Sequence, residues 1–288
     1  MDHEAVLALF DRQLRREARP DGPGTRVERA GDVVRQVGPV TGWNGVLWSA
    51  LDAAGADAAI AEQARYYGEL GVEAEWKAYG HDRPGDLGAR LTAAGFVPEE
   101  TETLLVAETA GLAFDVAPPD GIRLLPVTGE AQVELIERVH ERAFGTSRSS
   151  IGYQVRQQLA DDPATVPAVV ALHGDEPVSA GRLEPHAGTD FASLWGGGTV
   201  PEWRGRGIYR ALVAFRARIA AGRGFSYVHV DATSYSRPIL ERLGFVVLGT
   251  TTPYVLETPG PSDPGDLQEA ARNSATRATK NSSPSSQG

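Results

Sequence analysis

The sequence predicts a mixed α/β protein of the α+β kind, built as two units that each set helices against a twisted, mostly antiparallel sheet. Three observations predict it. Short apolar runs punctuated by Gly, Pro and Asp alternate with stretches of helical periodicity along residues 122–257. The turn Arg204-Gly205-Arg206-Gly207 opens a helix directly after a strand. A segment beginning at Leu91 repeats, in register, one beginning at Leu240.

Length and composition set the limits. A chain of 288 residues can bury two cores, and 41% hydrophobic residues is ordinary for a globular protein. The absence of cysteine excludes disulfides, thiolate zinc sites and a cysteine nucleophile. The six histidines show no ligand spacing, so no metal is expected. No apolar run approaches a membrane span, and the acidic start Met1-Asp2-His3-Glu4 is no signal peptide, so no membrane partner and a cytoplasmic location are expected. A net charge of −10 argues against sequence-nonspecific nucleic-acid binding. The same charge is compatible with attraction of a cationic amine, although solubility is the favoured reading of it. The Arg-, Ala- and Gly-rich, Lys-poor bias resembles that of a high-GC bacterial genome.

Composition divides the chain. Asp115-Val116-Ala117-Pro118-Pro119-Asp120-Gly121 is a Pro-rich hinge between two folded stretches, residues 1–114 and 122–257. From residue 258 the chain turns to Pro, Ser, Asp, Asn and Thr, which cannot bury enough surface to offset ordering entropy. Residues 258–288 therefore read as a disordered tail, with at most a transient helical turn over 267–275.

After the hinge the elements follow in order. Residues 122–127 read as a strand. Residues 129–144 read as a helix with Val133, Ile136, Val139 and His140 on one face, and 151–159 as a second helix after the loop 145–150. A strand over 166–172, a turn at His173-Gly174-Asp175-Glu176 and a strand over 178–183 form a hairpin. Residues 191–200 form a strand ending in Gly196-Gly197-Gly198, a pattern suited to a bulge or a close ligand approach. Ile208, Leu212, Phe215 and Ile219 then recur at helical spacing. A strand over 225–230 precedes a helix over about 234–243, with Pro238 tolerated near its first turn and Gly244 ending it. Residues 245–248 and 254–256 make the last two strands.

The turn at 204–207 carries the chemistry. A helix opening on glycine leaves backbone N–H groups unpaired at the positive end of its dipole, and nearby arginines add charge. Such a turn binds phosphate. Its glycines do not match the dinucleotide or P-loop fingerprints, and no Lys-Ser/Thr follows. Arg204, Gly207 and Tyr209 occupy the marked positions of the pattern Arg/Gln-x-x-Gly-x-Gly/Ala, and Tyr209 departs from it. This resembles the pyrophosphate loop of the GNAT superfamily of acyl-CoA-dependent N-acyltransferases. Arg237-Pro238-Ile239-Leu240-Glu241-Arg242-Leu243-Gly244-Phe245 is similar to that family's helix-then-Gly-Phe segment. The order of elements from about 120 to 257 matches as well.

The resemblance implies a site. Acetyl-CoA is the implied co-substrate, with its pyrophosphate cradled at Arg204, Gly205, Arg206, Gly207, Tyr209 and Arg210 and its pantetheine arm paired with the backbone of Thr199 and Val200. The arm would lie in a cleft where the strand 191–200 splays from its parallel neighbour 225–230. A backbone N–H there would stabilise developing oxyanion charge. The implied partner is an amine acceptor, its identity set by loops 145–150 and 186–190, and the expected assembly is a monomer or homodimer.

The base and acid are less legible. Glu184, at the end of one strand, and His229, on the strand 225–230, are the candidate bases. A solvated strand-end charge and a structural histidine are the competing readings. Glu202, after a proline, reads as structural. A tyrosine on the helix before Gly-Phe protonates sulfur in many family members, but Leu240 stands at that position here. Tyr235 and Tyr254 are the available substitutes. A non-catalytic acyl-CoA-binding sensor or assembly domain is therefore the alternative function. A serine hydrolase would need a Gly-x-Ser-x-Gly elbow, which is absent.

The first half reads as a degenerate copy. Leu91, Gly95, Phe96 and Val97 fall on Leu240, Gly244, Phe245 and Val246, and Asp82, Thr101, Thr103, Val106 and Glu108 continue the register onto Asp231, Thr250, Thr252, Val255 and Glu257. A helix over 57–70 falls on the one after the phosphate turn. Gly55-Ala56-Asp57-Ala58 replaces that turn, with Asp57 read as a helix N-cap, so this half is expected to bind no CoA and to serve as packing or as a wall of the acceptor site. Deleting residues 258–288 is expected to change neither the melting temperature nor CoA affinity, checked by thermal denaturation and calorimetry on the truncated chain.

Overall fold

A computed structural model describes residues 1–22, 24–40, 42–145, 151–162 and 166–257. The expected disordered tail and most of the expected acceptor loop, residues 146–150, lie outside the described residues. The first elements are α1 (His3–Phe10, continued by a wider π-helical turn over Asp11–Arg16), β1 (Arg26–Ala30), β2 (Val33–Val37), β3 (Gly45–Ser49), α2 (Ala56–Leu70), β4 (Ala74–Tyr79), α3 (Leu87–Ala93), β5 (Val97–Pro98) and β6 (Glu102–Glu108). After the hinge come β7 (Ile122–Pro126), α4 (Glu130–Phe144), α5 (Ile151–Asp161), β8 (Ala168–His173), β9 (Glu176–Pro185) and β10 (Phe191–Thr199). The chain ends in α6 (Ile208–Gly222), β11 (Tyr227–Ala232), α7 (Arg237–Arg242) and β12 (Val246–Leu256).

These elements pack as two compact units that are not contiguous in sequence. Among the described residues, one joins 1–22 to Glu100–Thr251 and the other joins Gly24–Glu99 to 252–257. In the first unit the strands run β12-β6-β11-β10-β9-β8-β7. Every neighbour is antiparallel except β10 and β11. Strand β6, which precedes the hinge, pairs with β11 from Tyr227↔Glu108 to Ala232↔Thr103. Conversely Tyr254 and Val255 of β12 pair with Pro98 and Val97 of β5 in the second unit. These two strands are the ones whose residues match in register in the sequence, Thr101 to Glu108 and Thr250 to Glu257.

Strand alternation assigns the faces of the first unit. Ala192, Leu194, Val228 and Val230 face α6 through Val213 and Ala217. On the other face, Val133, Ile136 and Val139 of α4 and Val155 of α5 cover Ala168, Val170 and Ala180, as the helical spacing predicts. Helix α1 covers the same face at β10 and β11, where Phe10 stands edge-on to Phe191 and His229. Asp2 caps α1, its carboxylate accepting from the N–H groups of Glu4 and Ala5.

Two element boundaries differ from expectation. The two terminal strands expected at 245–248 and 254–256 are one strand, β12, with a bulge between Val247 and Gly249. Thr250, Thr251 and Thr252 favour the extended chain between them, and the Pro253 carbonyl still accepts from the Glu99 N–H. Helix α7 begins at Arg237 rather than near 234, because the Thr233 carbonyl closes a turn onto the N–H groups of Ser236 and Arg237 first. Among the described residues no helix is long and apolar enough to cross a membrane.

In the second unit β1, β2 and β3 are antiparallel and β3 pairs with β4 in parallel at Gly45↔Glu75 and Val46↔Trp76. The order β3-α2-β4-α3-β5 thus parallels β10-α6-β11-α7-β12. Ile60, Tyr67, Trp76, Leu91 and Phe96 fill its core. The Tyr67 hydroxyl reaches the carbonyls of Gln36 and Gly45, each at 2.9 Å, and burial pushes this phenol up. Tyr67→Phe is expected to cost about 1–3 kcal/mol by leaving buried carbonyls short of a donor, read as a lower urea midpoint at unchanged slope.

Candidate active site

The turn at 204–207 has the geometry of an anion cradle. Gly205 and Gly207 hold φ of +74° and +83°, a left-handed conformation that favours glycine. Gly207 is the N-cap of α6 and no side chain caps the helix, while Arg204, Gly205, Arg206, Gly207 and Arg210 are all exposed. The arginines are braced rather than loose. Arg204 donates from Nε to the Thr199 carbonyl (3.0 Å) and from Nη2 to the Ala143 carbonyl (3.2 Å). Arg206 lies over the Trp203 ring at 4.6 Å and donates to the Glu202 backbone carbonyl.

The strand leading into this turn parts from its neighbour. Strand β10 pairs with β11 only at Phe191↔Tyr227, Ala192↔Val228 and Ser193↔His229. Beyond Ser193 a bulge between Trp195 and Gly198 turns β10 away. His140 of α4 anchors the bulge through Nε2 to the Gly196 carbonyl at 2.8 Å. At Gly197 the close approach is made by this chain itself: a Cβ there would lie 2.8 Å from the Tyr209 ring. Tyr209 therefore turns its side chain inward, onto the α6 face of β10, while its backbone stays in the first turn of the helix. Val200, expected to offer its backbone to the pantetheine arm, has both groups engaged: its N–H donates to the Val178 carbonyl and its carbonyl accepts from Trp203. The sheet register continues through Val200 and takes those groups. Thr199 keeps its place at the end of β10, its carbonyl already held by Arg204.

At the apex of the parting, on the opposite face, lies a polar cluster. The Ser193 hydroxyl sits between two imidazoles, 2.7 Å from Nε2 of His229 and in a short hydrogen bond with Nε2 of His186. Ser193 and His229 are buried, and the two rings stack at 5.9 Å. A hydroxyl donates once and accepts as well, so it links one ring that carries its Nε2 proton to another that does not. Glu184 stands opposite Ser193 in the register and pairs with Arg182 at 3.0 Å. The two candidate bases, Glu184 and His229, are thus brought together, with Ser193 and His186 between them. Helix α1 roofs the cluster with Phe10. It also fastens the loop 186–190: Gln13 and Asp190 exchange two hydrogen bonds and Arg19 donates to the Ala187 carbonyl.

Other expected participants fall elsewhere. Tyr235 is 87% exposed, and Leu240 is fully buried against Val230 and Phe245. Tyr254 packs in the core of the second unit. Asp57 is no N-cap: Gly55 holds that position, and Asp57 pairs with Arg90 at 2.8 Å. The carboxylate of Asp52 instead accepts from the N–H groups of Ala54 and Gly55. The reason is local, since Asp52 lies at the turn and its short side chain reaches two residues forward. Among the described residues no cluster of three metal-ligating side chains occurs. A groove of about 300 Å³ lies between the hinge and the outer face of α6, lined by Phe114, Val116, Phe215 and Arg218. It is on the far side of that helix from the parting strands.

Sequence reasoning missed Ser193, His186, Phe10 and Arg216. Period-two alternation signals Ser193, a polar residue between Ala192 and Leu194 on the face away from α6. Arg216 lies four residues after Leu212, on the apolar stripe of its helix, where a cation is out of place. Nothing in the N-terminal residues alone indicates that Phe10 packs on a strand 181 positions later.

Burial pushes His186 down, and Arg182 acts in the same sense while Glu184 and Asp21 oppose it. Burial also pushes His140 down against the Gly196 carbonyl. Below a pH of about 6.5 the unfolded chain binds more protons at these two positions, so their contribution to stability is lost as pH falls through that range. Glu184→Gln is expected to depress the His186 midpoint further and leave His140 unmoved, measured by NMR titration of the imidazole signals.

The comparisons agree with this geometry. The sequence profile of the acetyltransferase (GNAT) family matches residues 133–245, which run from within α4 to just beyond α7 and hold every residue of the turn and of the polar cluster. No curated protein matches the chain. Among solved structures, a GCN5-related N-acetyltransferase from Kribbella flavida is similar with a TM-score of 0.61 at 17% identity, over 92% of this chain and 96% of that one. One from Sphaerobacter thermophilus is similar with a TM-score of 0.55 at 17% identity, over 90% and 86%. A tandem GNAT protein from the clavulanic acid biosynthesis pathway has a TM-score of 0.56 at 14% identity, over 84% and 86%. At such identities the likeness is one of fold. Residues 133–245 of this chain match the acetyltransferase (GNAT) family, and the rest of the likeness is one of fold.

Proposed function

We propose that the first unit is an N-acetyltransferase that moves the acetyl group of acetyl-CoA to a primary amine of a small molecule or protein. The observation that carries this reading is the exposed turn with left-handed Gly205 and Gly207, placed where β10 has left β11. Backbone N–H groups of residues 207–210 would hold the pyrophosphate, with Arg206 and Arg210 adding charge. Thr199 and the bulge residues before it would hold the arm. The polar cluster supplies the proton path: His229 takes the amine proton, Ser193 passes one to His186, and Glu184 favours the charged form of that ring. Such a path needs no metal.

The second unit is proposed to bind no CoA. Its turn, Gly55-Ala56-Asp57-Ala58, has neither the arginines nor the left-handed glycines of the first, and the Asp52 carboxylate accepts from the N–H groups of Ala54 and Gly55 beside it. One donor site per tandem chain follows, with the two halves as diverged copies. The buried Leu240 favours a second reading, a non-catalytic acyl-CoA sensor. Gly207→Glu is expected to abolish CoA binding by calorimetry with an unchanged circular dichroism spectrum; retained binding overturns the turn assignment. Thioester consumption with a panel of primary amines separates the two readings, turnover on any acceptor supporting the transferase and binding without turnover the sensor.

A further inference from the structure

The Pro-rich segment expected to be a hinge lies along the outer face of α6. Leu112 and Phe114 pack beside Val213 and Ala217 of that helix. The residues that follow stand off from it and leave the groove of about 300 Å³, lined by Phe114, Asp115, Leu124, Ala211, Phe215 and Arg218. Pro119 then closes on the start of the helix, its Cγ 3.9 Å from where a Cβ of Gly207 would be. Ala211, on the groove's lining, donates its N–H to the Gly207 carbonyl. The groove therefore opens one helical turn from the anion turn. Its volume lies at the lower end of the roughly 300–1,000 Å³ of small-molecule sites.

The lining suits a flat ring that carries an anion. Phe114, Leu124 and Phe215 are half-buried and give apolar walls, while Arg218 is exposed. Helical side chains lean toward the N-terminus. Arg218 does so, its Cζ 5.5 Å from the centre of the Phe215 ring. Its charge thus stands near the level of Phe215, which lies eight residues after Gly207, about 12 Å of helix. One nucleoside with its phosphates bridges that distance. Asp115, also exposed, offers an acceptor to an amine on the ring.

We propose that this groove is the nucleoside site of the donor, with a purine held between Phe215 and the segment 114–118 and a ribose 3′-phosphate on Arg218. This rests on the acyl-CoA reading above. A ligand whose pyrophosphate rests on the turn has two ends to place. The arm enters the parting of β10 and β11 on the sheet side of α6. The nucleoside leaves from the same turn, and the groove is the concave surface that begins there on the other side. The co-substrate thereby straddles the first turn of α6, and the connecting segment becomes a wall of the donor site.

The test is calorimetry on the full chain with CoA, with dephospho-CoA, which lacks only the 3′-phosphate, and with adenosine 3′,5′-bisphosphate, which lacks the arm. Expected for the native chain is a preference of about tenfold for CoA over dephospho-CoA, shrinking as salt rises. Arg218→Ala is expected to bring that ratio near one at unchanged affinity for dephospho-CoA, and Arg218→Lys to keep most of it. Arg223→Ala, beyond the groove, is expected to keep all of it. Val116→Trp fills the groove from the connecting segment and is expected to weaken adenosine 3′,5′-bisphosphate about tenfold or more. Equal affinity of the native chain for CoA and dephospho-CoA, full preference in Arg218→Ala, or unchanged bisphosphate binding in Val116→Trp overturns the nucleoside site and leaves the acyl-CoA reading intact. Failure of CoA itself to bind overturns that reading, and the nucleoside site with it.

Discussion

The parting of two parallel strands is the constraint on which this structure depends. Strands β10 and β11 share three register positions and then separate, because the Trp195–Gly198 bulge shifts β10 against β9 instead of β11. A buried strand that gives up ladder partners must have its polar groups satisfied otherwise. Side chains from both faces do this: His140 and Ser179 reach the carbonyls of Gly196 and Gly198, and Arg216 reaches that of Trp195. The cleft is held open by these contacts.

Around the parting the two faces carry different chemistry. The α6 face presents aliphatic packing broken by one phenol and one guanidinium. The other presents a hydroxyl between two imidazoles, roofed by Phe10. Strand alternation makes this division automatic, since Ala192 and Leu194 must face opposite to Ser193. The same alternation places His229 with Ser193 and sends Val228 and Val230 toward α6. Helix α1 completes the roof, and Gln13 of its continuation together with Arg19 beyond it holds the loop that carries His186.

The two units share one arrangement of helix and strands but differ at the start of the helix. Both set a helix behind a parallel strand pair. In the first unit the turn holds two left-handed glycines and no cap, so its N–H groups face solvent. In the second, Gly55 has φ of −93° and the Asp52 carboxylate accepts from the N–H groups of Ala54 and Gly55 beside the helix start.

Much was legible before any coordinates. Helix α4 buries the four residues its periodicity names, and the turn at 204–207 opens a helix after a strand. These follow from short-range rules: periodicity, glycine conformation and the dipole of a helix end act within a few residues. By itself the sequence determined the class of fold and the place at which a glycine turn opens a helix after a strand. Only tertiary structure decided which polar side chains share a site. Ser193, His186 and His229 meet because β10 lies beside β11, and Phe10 reaches them from the other end of the chain. Tyr209 reads as a misfit in a glycine position until the missing side chain of Gly197 gives its ring a place. Arg216 acquires meaning from a carbonyl that strand pairing has left behind. Such contacts depend on pairing between distant segments, and no local pattern of residues encodes them.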